Sequence, residues 1–82
     1  MAYTKINISH TEANNTPNRV FYESETVIAY ESLIPYDYET AHKVYFVTGK
    51  DGEEFGQYET EDKAAHIATQ ATQLNEMRAY ID

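Results

Sequence analysis

The sequence predicts an α+β fold: a small antiparallel sheet of two hairpins plus an N-terminal strand, with one C-terminal helix packed on one face. Three observations carry that expectation. β-forming residues gather in short runs separated by turn residues, the stretch after Thr60 has helical periodicity with no Gly or Pro before the chain ends, and 82 residues allow one hydrophobic core and not two. Residues 1–82 are therefore read as a single domain.

Residues 2–9 alternate Thr4, Ile6 and Ile8 with Lys5, Asn7 and Ser9, the period of a strand half buried on one face. Residues 10–18 hold Asn14, Asn15, Thr16, Pro17 and Asn18 without apolar periodicity, so this segment is expected to be a polar, mobile loop. From residue 19 to 32, Val20, Phe21, Tyr22, Thr26, Val27, Ile28 and Tyr30 favour strands, and a hairpin turning at Ser24-Glu25 is preferred over a short helix capped by Ser24. Pro35 ends the element before it, leaving Tyr36, Asp37, Tyr38 and Glu39 as an exposed aromatic and acidic connection.

The second hairpin joins residues 43–48 to residues 53–59 through Gly49-Lys50-Asp51-Gly52. Two registers are open. A four-residue loop sets Phe46 opposite Phe55, and a three-residue loop with Gly52 left-handed sets Val47 there. Thr60 then caps a helix expected to run to about Tyr80, with Glu61 and Asp62 at the positive end of its dipole. Ala64, Ile67, Ala68, Ala71, Leu74, Met77 and Ile81 are read as its buried stripe, with His66, Gln70 and Gln73 pointing away.

Composition limits function. Asp and Glu number 14 against 6 Lys and Arg, a net charge of −8, which opposes direct nucleic-acid binding because phosphates need cations to neutralise them. Without Cys there is no disulfide framework, zinc finger or thiol nucleophile, so a reducing cytoplasm is the expected compartment. The longest apolar runs, residues 27–30 and 44–47, fall far short of the about 20 residues of a membrane span or the core of a signal peptide, so the chain reads as soluble and unprocessed. The sequons at Asn7 and Asn14 carry no weight without a secretory signal.

Catalytic patterns are scarce, and no catalytic residue, metal ligand or cofactor is assigned. His10, His42 and His66 lack metal-ligand spacing and read as surface histidines. The Gly49–Gly52 stretch superficially matches a KH clamp, but its flanks are strands followed by Glu53 and Glu54, and no phosphate-cradling loop occurs. Asp51 followed by Glu61-Asp62-Lys63 resembles a metal-dependent nuclease pattern, yet in that family the acids and Lys lie on a sheet, whereas Glu61–Lys63 open a helix here.

Charge is patterned. Asp51, Glu53, Glu54, Glu59, Glu61 and Asp62 crowd into a dozen positions, while residues 64–73 carry no acid. If the hairpin and the helix start adjoin, these carboxylates share a region able to attract a basic cleft; the competing account is ordinary solvation of exposed strands. Eight tyrosines form the second anomaly. Tyr22, Tyr30, Tyr45 and Tyr58 are read as core or cross-strand partners, and Tyr36 and Tyr38, around Asp37 and beside Glu39, as recognition candidates.

With its small size, lack of Cys, strong negative charge and carboxylates near tyrosines, the whole chain resembles in composition the small acidic proteins with which phages and other mobile elements block host defence enzymes, of the anti-CRISPR or nucleic-acid-mimic type. The resemblance implies an inhibitor whose carboxylates occupy the places of phosphates on a basic host protein or nucleoprotein complex, with no membrane and no direct nucleic acid involved. The alternative is a self-associating structural module, a homodimer joined through Tyr-rich strand edges or the Ala-lined helix.

Overall fold

The computed structural model describes residues 3–81, with Tyr80 and Ile81 described by their backbone alone. The expected α+β architecture is present. Its elements are β1 (Thr4–Asn7), α1 (His10–Asn15), β2 (Arg19–Glu23), β3 (Val27–Pro35), β4 (Thr40–Gly49), β5 (Glu54–Tyr58) and α2 (Glu61–Ile81). All strand pairs are antiparallel, in the order β1-β4-β3-β2, and β5 pairs with β4 along the edge that β1 also uses. Ala2, where the sequence reading begins the first strand, lies outside the described residues.

Residues 10–18 depart from the expected loop. Ser9 caps α1 by accepting from the Glu12 amide at 3.1 Å, Thr16 Oγ1 donates to the Glu12 carbonyl at 2.8 Å, and Ala13 is buried at 3% exposure. Six residues are too few to show a helical period, so the cap and the tertiary seat of Ala13 create this helix.

The first hairpin forms where expected. Ser24 Oγ accepts from the Val27 amide at 3.0 Å, and the Ser24 amide donates to the Val27 carbonyl at 2.8 Å, so the side chain that could have capped a helix closes the turn. A bulge between Val20 and Tyr22 lets both Phe21 and Tyr22 pack against the core.

In the second hairpin the three-residue loop wins. The Gly49 amide donates to the Glu53 carbonyl, and Gly52 takes φ +97°. Val47 nevertheless meets Gly56 and not Phe55, because a second bulge inserts Phe55 between the Thr48–Glu54 and Val47–Gly56 pairs. Gly56 at φ +123° makes the bulge possible, and Phe55 turns toward the core.

The core is thin and made of small residues. Val27, Ala29 and Val47 of the sheet meet Ala64, Ala68 and Ala71 of α2. Leu74 and Met77 do not join them, at 44% and 59% exposure, and the Ile81 side chain lies outside the described residues. Repeated three-residue steps rotate backward by about 60° each, so Met77, nine residues beyond Ala68, stands about half a turn away. The seam passes instead to Thr72, whose Oγ1 is 2.9 Å from both Tyr22 Oη and Ser24 Oγ, and to Asn75, which donates to Thr26 Oγ1 at 3.2 Å. Polar groups of the first turn thus meet polar partners on the helix.

Candidate protein-interaction surface

The fold distributes the ten candidate residues over three places. Asp51, Glu53 and Glu54 lie at the β4–β5 turn. There Asp51 Oδ1 accepts from the Glu53 amide at 3.1 Å, which makes that carboxylate part of the turn, and Glu53 pairs with Arg78 at 3.6 Å. Glu54 is exposed beside Tyr30 and Phe46. Lys50 of the same turn pairs with Glu23 at 2.8 Å.

Glu59, Glu61 and Asp62 lie at the opposite end of β5, whose four residue steps from Glu54 to Tyr58 span about 13 Å. The helix starts where that strand ends and runs back, so the Gly52 turn neighbours the far end of α2, as the Arg78–Glu53 pair attests. Hairpin turn and helix start therefore do not adjoin. Arg19 takes up Glu61 and, at 3.0 Å, Glu31, and these two carboxylates hold its guanidinium protonated well above the ordinary arginine range. Burial beside this group, reinforced by Glu31, pushes the Tyr45 hydroxyl pKa up. Asp62 is exposed and Glu59 half-buried.

Tyr36, Asp37, Tyr38 and Glu39 occupy the β3–β4 connection. The long hairpin carries it about 30 Å from the Lys50 turn, along a body measuring 49 × 25 × 16 Å. Asp37 Oδ1 accepts from Thr40 Oγ1 and the Thr40 amide at 2.7 Å each and from the Glu39 amide at 2.9 Å. Those bonds, led by the Thr40 hydroxyl, hold its carboxyl below the usual carboxylate range. Tyr38 stands 79% exposed with its ring edge-on to His10 at 4.9 Å, and a shallow cleft of about 310 Å³ opens among His10, Pro35 and Tyr36–Tyr38. Tyr36 stacks on His42 at 4.7 Å with Lys5 Nζ 4.4 Å above its ring.

Among the described residues no group of three His, Asp or Glu side chains is arranged to hold a metal ion, and Asp51 is separated from Glu61–Lys63 by the length of β5. No helix of the described residues is long and apolar enough to cross a membrane. The Ala-lined face of α2, one of the two interfaces considered for self-association, is spent on the chain's own sheet.

Sequence reasoning overlooked the sheet face turned away from α2. There Tyr30 stacks on Phe46 at 5.3 Å, and Val20 and Ile34 are 49% and 42% exposed. The signal was available in the alternation of Ile28, Tyr30 and Ile34 against the buried Val27 and Ala29. Searches against protein-family models, curated proteins and solved structures return no match for this chain.

Proposed function

We propose that this chain is a small acidic inhibitor, encoded by a phage or mobile element, that acts in the host cytoplasm by binding a basic cleft of a nucleic-acid-handling enzyme or defence complex. The observation that supports it is the spacing of the charge. A net −8 rides on a narrow body 49 Å long, with exposed carboxylates at the Gly52 turn, the helix start and the β3–β4 connection. Anions at intervals along a rod suit an elongated basic channel better than a point-like basic pocket. Glu39 and Asp62 join no ion pair with Lys or Arg among the described residues, so their charge is available to a partner. Tyr36 and Tyr38 supply aromatic contact beside Glu39.

The test is capture of host proteins on the immobilised chain, followed by elution with duplex DNA or rising salt. The expected outcome is a nucleic-acid-binding protein released by either, and lost when Glu39→Lys and Asp62→Lys are combined. Capture that neither DNA competition nor the double charge reversal affects removes the proposal.

A further inference from the structure

The open face of the sheet has an internal symmetry of charge. β1 and β5 lie along the same edge of β4, where Lys5 pairs with His42 and Glu54 pairs with Thr48, so the two charges stand equally far on either side of the Tyr45 level. Both belong to this face. Lys5 is held over the ring of Tyr36, which stacks on His42, and Glu54 lines a groove of about 240 Å³ together with Tyr30 and Phe46. Glu23, the neighbouring acid on β2, is already engaged by Lys50.

Consider a two-fold axis in the plane of an interface, running across the strands at the level of Tyr45. It reverses strand direction and keeps each edge on its own side, so Lys5 of one copy meets Glu54 of the other, and the contact occurs twice. On β3 the same operation opposes Ile28 to the exposed Ile34. Acid faces base, and isoleucine faces isoleucine.

We infer that this face binds a second copy of the chain, giving an isologous sheet-on-sheet dimer. A chain of net charge −8 repels itself over most of its surface, and here its acid and its base are placed to pair between copies. The six residue steps from His42 to Thr48 make the face about 20 Å long, and its width is about 14 Å, from three inter-strand spacings. That footprint, about 280 Å² on each copy, lies below the standard size of specific interfaces, so the dimer is weak and dependent on concentration. The inference stands apart from the proposed inhibition, whose test reverses Glu39 and Asp62 on other surfaces.

Sedimentation equilibrium of the full chain over a concentration series tests it, with circular dichroism to verify folding of variants altered only at exposed Lys5 and Glu54. The wild-type mass should rise toward two copies. Lys5→Glu and Glu54→Lys should each weaken association at least about tenfold, because each sets like charges opposite twice. An equimolar mixture of the two variants should recover it, since every cross-pair is then complementary. A wild type that stays a single copy overturns the inference, as does a dimer indifferent to both reversals or a mixture no tighter than its components.

Discussion

Beneath α2 the sheet presents Val27, Ala29 and Val47 and the helix answers with Ala64, Ala68 and Ala71, whereas the other face carries the Tyr30–Phe46 stack with Ile34 and Val20 in solvent. On the covered face only the small residues are fully buried, and Phe21, Tyr22, Tyr45, Phe55, Tyr58 and Ile67 surround them partly buried. Small residues bring helix and sheet close together at the centre of the contact, leaving no room there for a larger side chain. The largest fully buried side chains are Val27 and Val47, so the helix also relies on Thr72 and Asn75 to fix its second half. The open face has aromatic rings of its own, and it still has water to shed.

If tight packing confines the covered face, its smallest residue is its most sensitive. Ala68→Leu, at a site of 0% exposure, should cost about 2–3 kcal/mol by overpacking, which for a domain of this size lowers Tm by about 10 °C or more. Thermal unfolding followed by circular dichroism reads the effect, and an unchanged Tm would break the comparison at its root.

The bulge of β5 turns Phe55 toward the covered side while Glu54 remains beside the open one. A Cβ at Gly56 would stand 2.9 Å from Tyr58 Oη and would have to accept φ +123°. Gly56→Ala should therefore cost about 1–2 kcal/mol, measurable as a shift in the urea midpoint at constant m. A smaller loss would mean that the bulge can move.

Ile34→Thr, on the open face, should change monomer stability by no more than about 0.5 kcal/mol in chemical denaturation at low protein concentration. The contrast with Ala68 sharpens if the same variant weakens self-association, since Ile34 is placed to meet Ile28 of a second copy.

Much of the fold was legible because its signals act over a few residues. Ser24 closes one turn, Gly52 supplies the left-handed position of another, and Thr60 Oγ1 accepts from the Lys63 amide at 3.2 Å at the start of α2. The candidate site was less legible. Glu54 and Glu61 are close in sequence, but an extended strand converts that short interval into distance, and the helix returning along it delivers Arg78 to Glu53 and leaves Glu61 to Arg19.

The sequence alone determined strands, turns, the long helix and the excess of negative charge, since propensity, capping and composition need no knowledge of distant residues. Tertiary structure decided the rest: the seat of Ala13 that makes α1 a helix, the two bulges, the rotation of α2 that buries alanines and exposes Met77, and the partition of carboxylates among separate places. Each of these depends on which segments come to lie side by side, and that is set by packing across the whole sheet.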